Sequence, residues 1–86
     1  MYYTYIVKSK KSGRFYTGYA NDLRKRFKEH NEGRSAYTKS RGPYELVYYE
    51  ACLDEEDAKS RERYLKSGKG KRYIKDRLKR FLFRTG

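Results

Sequence analysis

Five side chains in this sequence are of the types that could cut a phosphodiester bond. Tyr5 and Tyr16 come early in the chain, Arg26 and His30 follow, and the carboxylate of Glu62 comes later in an Ala-x3-Glu-x3-Lys pattern. Hydrolysis assisted by one metal needs a group that takes a proton from water, a cation that stabilises the extra negative charge, and a carboxylate for the metal. These residue types meet those needs.

The two tyrosines belong to strands predicted at residues 2–7 and 15–20, which are rich in β-forming residues. A turn with an even number of residues places Tyr5 opposite Gly18 and puts Tyr16 on the same face. Diagonal neighbours on one face have backbones about 7–8 Å apart. Because glycine has no side chain, a phosphate could approach between the phenols. A turn with an odd number of residues would separate them.

Arg26 and His30 belong to a helix predicted over residues 23–31, after a cap at Asn21 or Asp22. Four residues apart, they share one edge beside the apolar face. The planar guanidinium of Arg26 suits a phosphate oxygen. His30 could orient a phenol, relay a proton or make a simple hydrogen bond.

Glu62 belongs to a second predicted helix, which begins after Asp54 and continues to about Lys66. Its spacing places it on the inward face, where an unpaired carboxylate is costly and needs a cation. That cation is either a metal or an arginine, and Arg26 is one candidate. The acidic residues 55–57 also resemble a metal site, but helix capping explains them more simply.

The remaining segments complete an α+β domain. A basic loop is predicted over residues 34–43, a third strand over residues 44–51, and a third helix whose apolar stripe includes Ile74 and Leu82. The predicted order is ββαβαα, with one small sheet packed by amphipathic helices.

The net charge of +12 is concentrated in the last third of the chain. Residues 1–58 hold 11 basic and 9 acidic side chains, whereas residues 59–86 hold 12 basic and 2 acidic ones. A local basic surface favours nucleic acid over a membrane, although a solvated face is the simpler alternative. The residues predicted to bind nucleic acid are Lys66, Lys69, Lys71 and Arg72 in this segment, and Lys39 and Arg41 in the basic loop.

Composition also excludes several classes of protein. The chain has 86 residues, enough for one domain with a single core. There is no apolar run of about 18 residues that could span a membrane, and the N-terminus opens on strand-like residues rather than a signal peptide. A lone cysteine, Cys52, excludes an internal disulfide and suits a reducing cytosol. We therefore expect a cytoplasmic protein.

The five residues predict a mechanism. Mg²⁺ is the natural metal for Glu62, because it accepts few protein ligands and keeps its waters. Arg26 would stabilise the transition state, and a tyrosine would deprotonate the attacking water. Free tyrosine has a pKa of about 10, so bringing it near 7 requires roughly 4 kcal/mol of favourable surroundings. Arg26, the metal and the basic field are expected to supply this.

The order of these residues resembles that of the GIY-YIG nuclease superfamily, above all its small stand-alone bacterial branch. The resemblance covers about residues 2–82. It implies a three-stranded antiparallel sheet flanked by helices, in one domain spanning residues 1–86. The residues that carry it are Tyr5, Tyr16-Thr17-Gly18, Arg26, His30 and Glu62.

The same resemblance implies roles for these residues. Tyr5 and Tyr16 match the tyrosines of the two motifs that name the superfamily, and Arg26 matches its arginine. Glu62 matches the glutamate that holds Mg²⁺ or Mn²⁺ together with waters. His30 matches a position that is often histidine.

The chain departs from the family pattern in three places. Tyr3-Thr4-Tyr5 lacks the glycine and isoleucine of the first motif, and Thr17 replaces the isoleucine of the second. Many active members carry an asparagine where this chain has Ile74. Larger members reach specific DNA through an added domain, so sequence-specific cutting is not expected here.

Residues and resemblance together predict a metal-dependent endonuclease that acts on structured, damaged or single-stranded DNA, with a role in DNA repair. One alternative is a non-catalytic nucleic-acid-binding module with the same basic fold. Another is a domain that works only with a partner protein. The presence of Tyr5, Tyr16, Arg26 and Glu62 favours catalysis, because a binding module would need only the basic last third.

Overall fold

The computed structural model describes residues 1–33 and 42–85. Lys39, Arg41 and most of the predicted basic loop lie outside these residues. The elements are β1 Tyr2–Ser9, β2 Phe15–Ala20, α1 Leu23–Asn31, β3 Tyr44–Cys52, α2 Glu55–Lys66, α3 Gly68–Arg77 and α4 Lys79–Thr85.

The three strands form an antiparallel sheet in the order β2-β1-β3, as predicted. Tyr5 pairs with Gly18 and Val7 pairs with Tyr16, which is the register expected for an even-numbered turn. The two tyrosines therefore share one face of the sheet. Residues 4–7 of the central strand β1 are all buried, because helices cover both of its faces.

The core has one layer on each face of the sheet. Tyr5, Val7 and Tyr44 form the layer toward α1, where Leu23 and Phe27 pack against it. On the opposite face, Ile6, Leu65 and Ile74 form the layer shared with α2 and α3. Side chains alternate between the two faces of the sheet along β1, and α1 and α2 each pack an apolar face against one of them. The result is an α+β fold.

Acidic side chains begin the first two helices. Asp22, rather than Asn21, caps α1 by accepting a hydrogen bond from the Lys25 backbone N–H at 3.1 Å. Asp54 caps α2 and accepts from the N–H groups of Glu56 and Asp57 at 2.8 and 3.3 Å. The acidic first turn of α2 therefore serves as a helix N-terminus, as predicted.

The prediction of one long third helix is wrong. The chain leaves helical geometry at Leu78, with φ −106° and ψ 22°, so that α3 and α4 are separate. Spacing identifies apolar side chains but does not report whether the backbone between them is continuous. A break was predicted over residues 67–70, but in the structure Ser67 alone separates α2 from α3. The Ser67 hydroxyl accepts a hydrogen bond from the Gly70 N–H at 3.2 Å.

Gly70 explains how α3 can follow α2 so closely. A Cβ at this position would overlap the carbonyl oxygen of Tyr64 and lie 2.5 Å from Leu65 Cα. The absence of a side chain lets the first turn of α3 rest directly on the last turns of α2. This contact holds α3, with its basic residues, beside the helix that carries Glu62.

Among the described residues, no helix is both long and apolar enough to cross a membrane.

Candidate active site

All five predicted catalytic residues line one cavity of about 480 Å³, which we call the edge cavity. The residues that line it are Tyr5, Phe15, Tyr16, Thr17, Gly18, Tyr19, Arg26, His30, Glu62, Lys66 and Lys71.

The edge cavity spans strand β2, which forms one edge of the described sheet. Side chains alternate along this strand, so Tyr16 and Gly18 face α1 while Phe15, Thr17 and Tyr19 face α2 and α3. All five line the cavity. Groups from both faces of the sheet can therefore act on one ligand at this edge.

Glycine at position 18 allows the Tyr5 side chain to reach that edge. A Cβ on Gly18 would overlap the Tyr5 hydroxyl and lie 2.5 Å from its Cζ. The gap beside Gly18, predicted to admit a phosphate between the phenols, is thus occupied by the Tyr5 ring. The glycine brings the phenol to the cavity rather than leaving the space for substrate.

The Tyr5 hydroxyl is the centre of a hydrogen-bond network. It lies 2.7 Å from His30 Nε2, and Arg26 Nε donates to it at 3.4 Å. Arg26 also donates through a terminal nitrogen to Glu29 Oε1 at 3.2 Å, one turn along α1. As predicted, Arg26 and His30 lie on the same edge of α1, and the side chains of both contact the Tyr5 hydroxyl.

The protonation of this network differs from the prediction. Burial raises the pKa of the Tyr5 phenol above 10.0, and the hydrogen bond and charge of Arg26 offset this only in part. The protein's own groups thus leave the pKa of Tyr5 above its ordinary value, whereas a value near 7 was expected for the tyrosine that acts as the base. Burial lowers the pKa of His30 below 6.5, and the positive charge of Arg26 lowers it further by a smaller amount. At neutral pH the phenol is protonated and the imidazole is neutral, so Tyr5 can donate to His30 Nε2.

We expect the protein to lose stability because of His30 as the pH falls below about 6.5. Its pKa is lowered in the folded state, so below the unfolded value of about 6.5 the unfolded chain binds more protons. The contribution of His30 to the free energy of unfolding is therefore complete above about pH 6.5 and declines as the pH falls below it. His30 is the chain's single histidine and carboxylates titrate lower, so unfolding at several pH values isolates the effect. Replacement by glutamine should flatten the dependence; an unchanged slope would contradict it.

Two buried contacts place Glu62 at the edge cavity. The Thr4 hydroxyl donates to the Ala58 carbonyl at 2.7 Å, which holds the turn of α2 before Glu62 against the sheet. Leu65, on the following turn, is 2% exposed in the core. Glu62 itself is a half-buried residue, and its carboxylate pairs with Lys66 Nζ at 3.1 Å. The alternative pairing of Glu62 with Arg26 is therefore wrong: Arg26 pairs with Glu29.

The donor set fits a metal that needs few protein ligands. Of the described residues that line the edge cavity, Glu62 alone carries a carboxylate. Among the residues placed by the structure, no three His, Cys, Asp or Glu side chains form a metal-binding group. Zinc and calcium sites use several protein ligands, whereas Mg²⁺ commonly takes one or two carboxylates and fills its shell with water and phosphate oxygens. Glu62 suits the latter.

Of the residues predicted to bind nucleic acid, the four that the structure describes are divided between two places. Lys66 and Lys71 line the edge cavity. Lys69 and Arg72 are exposed on α3 outside it. Basic side chains thus extend from the cavity along α3, as a bound polyanion requires.

Sequence reasoning missed Tyr44 and Tyr19. The Tyr44 ring lies 6.0 Å from that of His30 and 5.7 Å from that of Tyr16. The Tyr19 hydroxyl donates to Glu55, which raises the pKa of Tyr19 to about 12. Alternation along β2 could have placed Tyr19 near α2, but no signal in the sequence placed Tyr44 beside the site.

Comparison with known proteins identifies the family. The model of the GIY-YIG catalytic domain matches residues 1–79. The chain belongs to the GIY-YIG family. This is a family of nucleases that bind nucleic acid, so the basic surface and the edge cavity belong to a nuclease-type domain.

Small bacterial proteins are similar over most of their length. The UPF0213 protein CPE1444 of Clostridium perfringens is 49% identical over 67 residues, which cover 77% of this chain and 71% of that protein. A UPF0213 protein of Staphylococcus aureus is 42% identical over 80 residues, covering 88% and 96%. The solution NMR structure of the UPF0213 protein BH0048 from Bacillus halodurans is 37% identical, with a TM-score of 0.53 and coverage of 86% and 82%. These likenesses confirm the predicted small bacterial branch and its fold.

Proposed function

We propose that this protein is a metal-dependent endonuclease that hydrolyses DNA phosphodiester bonds in structured, damaged or single-stranded regions. One observation carries the proposal: Tyr5, Arg26, His30 and Glu62, distant in sequence, line one cavity beside exposed lysines. We further propose a cytoplasmic role in DNA repair, where such substrates arise.

In this mechanism Tyr5 and His30 together remove a proton from the attacking water. The phenol gives its proton to His30 Nε2, 2.7 Å away, as the phenolic oxygen takes one from water. The lowered pKa keeps the imidazole neutral and able to accept. Arg26, which donates to the same oxygen, stabilises the negative charge that forms there. The relay removes the need for a phenol with a pKa near 7.

Glu62 is the residue that would hold the metal. When bound, Mg²⁺ or Mn²⁺ supplies positive charge for the phosphate and the leaving oxygen. The Lys66 side chain is 57% exposed and can leave Glu62 at little cost, since exposed ion pairs are weak. Released from Glu62, Lys66 can contact a phosphate of the bound strand, as can Lys71.

Cleavage of labelled oligonucleotides tests the proposed function. Single-stranded, nicked, branched and duplex DNA are incubated with the whole chain in Mg²⁺, in Mn²⁺ and in EDTA. We expect cleavage with either metal and none in EDTA. Binding of all substrates without cleavage under any metal condition would overturn the proposal and leave the alternative, a nucleic-acid-binding module.

Neutralising three basic residues of α3 should make DNA binding less sensitive to salt. Each phosphate contact contributes about 0.7 to the slope of log K against log salt for single strands and about 0.9 for duplex. Loss of two or three contacts should therefore reduce the magnitude of this negative slope by about 2. The residues changed to glutamine are Lys69, Lys71 and Arg72.

The matched control removes the same charge from the exposed face of α1. Its residues, also changed to glutamine, are Arg24, Lys25 and Lys28. Fluorescence anisotropy at several salt concentrations gives both slopes. If the α3 variant keeps the wild-type slope, or if both variants lower it equally, α3 is not the preferred binding surface.

A further inference from the structure

A second cavity lies beside the edge cavity, and its walls are mainly apolar. It has a volume of about 320 Å³, and we call it the apolar pocket. Ile6, Leu65 and Ile74, at most 3% exposed, form its floor, and Leu82 of α4 also lines it. It therefore reaches the core between the sheet and α3.

The apolar pocket adjoins the edge cavity. Phe15, Thr17 and Lys71 line both. Phe15 and Thr17 lie on the face of β2 that meets α2 and α3, and Lys71 lies on the first turn of α3. A ligand whose phosphate lies in the edge cavity can thus extend past Lys71 into the apolar pocket.

The chemistry of the two cavities indicates what that ligand carries. The edge cavity presents Arg26, Lys66 and Lys71 to an anion. The apolar pocket offers aliphatic walls and the aromatic ring of Phe15, with lysines at positions 71 and 75. A flat ring joined to a phosphate satisfies both, and in a polynucleotide that ring is a nucleobase. Bases stack on aromatic side chains beside basic grooves that follow the backbone.

We propose that the apolar pocket receives one unpaired nucleobase adjacent to the phosphate in the edge cavity. This rests on the proposed function for the identity of the ligand as DNA. A base held in a duplex is stacked on both faces and paired along one edge, so only an unpaired or extruded base can enter. The pocket therefore favours single-stranded or locally opened DNA through contact with a base, in addition to its charge.

Titration with dinucleotides tests this without any cleavage. Thymidylyl-thymidine is compared with the two analogues in which an abasic tetrahydrofuran residue replaces either the first or the second thymidine, all in EDTA, by NMR of the methyl groups of Ile74, Leu65 and Leu82. We expect these methyl signals to shift with the base-bearing ligand and not with an analogue that lacks the inserted base. The analogue should bind about 5- to 160-fold more weakly.

Two variants separate stacking from general apolar packing. Phe15→Leu keeps an apolar side chain at the junction, and should weaken binding of the base-bearing ligand while leaving the analogue unaffected. Phe83→Leu is the matched control, since Phe83 is 88% exposed and lines neither cavity; it should bind both ligands as the wild type does. Equal effects of Phe15→Leu on both ligands would contradict the proposal.

The outcomes distinguish this proposal from the proposed function. The nucleobase pocket would be overturned, even if the protein cleaves DNA, by either of two results. One is a shift of NMR signals from edge-cavity residues without a shift of the pocket methyl signals, and the other is no binding of either kind of ligand. Base-dependent shifts of the methyl signals in a protein that cleaves no DNA would support the nucleobase pocket and overturn the proposed endonuclease function.

Discussion

Replacing Glu62 by glutamine is expected to reduce metal-dependent cleavage at least about 1,000-fold while DNA binding persists. The substitution keeps the size of the side chain but removes the single carboxylate that the described residues bring to the edge cavity. Charge stabilisation by a catalytic metal is worth several kcal/mol, and each 1.36 kcal/mol changes the rate about tenfold. Single-turnover cleavage and anisotropy with the same oligonucleotide measure the two properties separately.

Glu55→Gln is the matched control for this change. Glu55 lies on the same helix and bonds to Tyr19, but does not line the edge cavity. It should cleave at a rate close to that of the wild type. Cleavage by Glu62→Gln at the rate of Glu55→Gln would place the metal elsewhere or attribute the activity to a contaminant.

Replacing Tyr5 by phenylalanine should lower the cleavage rate by about 10²- to 10⁴-fold, the usual contribution of a general base. The ring still fits over Gly18, but the hydroxyl that bonds His30 and accepts from Arg26 is gone. The buried His30 loses a partner, which should cost about 1–3 kcal/mol of stability. Rates measured across pH, with thermal unfolding in parallel, separate the loss of chemistry from the loss of folding.

Tyr16→Phe identifies which tyrosine removes the proton. Tyr16 lines the same cavity, and its ring meets the Tyr44 ring edge-on at 5.7 Å. If Tyr5 and His30 form the relay, the Tyr16 variant should lose much less activity than the Tyr5 variant. A larger loss in Tyr16→Phe would reassign the base to Tyr16 and leave His30 as a residue that positions Tyr5.

Local rules of sequence predicted those parts of the fold that depend on periodicity. Side chains alternate along strands, so an even-numbered turn was enough to pair Tyr5 with Gly18. Short polar and acidic side chains compete well for free N–H groups, which placed the start of α2 at Asp54 and limited the cap of α1 to Asn21 or Asp22. The face of each side chain therefore followed from residue order once the register was known, and the structure supplied the register that the sequence left open between an even and an odd turn.

Distances across the fold did not follow from residue order. Spacing placed Glu62 on an inward face but left its cation open between a metal and an arginine such as Arg26, because the distance from Glu62 to Arg26 depends on the separation of α1 and α2. The pair with Lys66, four residues later on the same helix, was not predicted, although its spacing is that of an i, i+4 ion pair. The direction of the Tyr5 phenol over Gly18, and hence the raised pKa of Tyr5, depends on packing of the sheet against α1.

Paramagnetic broadening by Mn²⁺ tests most directly whether the edge cavity is a one-metal site. In NMR spectra of the whole chain bound to a non-hydrolysable oligonucleotide, sparse Mn²⁺ should broaden the amide signals of Glu62 and Gly18 most strongly. The acidic first turn of α2, at residues 55–57, is the competing location. Broadening centred on that turn, or spread evenly over the basic surface, would contradict a metal held by Glu62 beside Tyr5, Arg26 and His30.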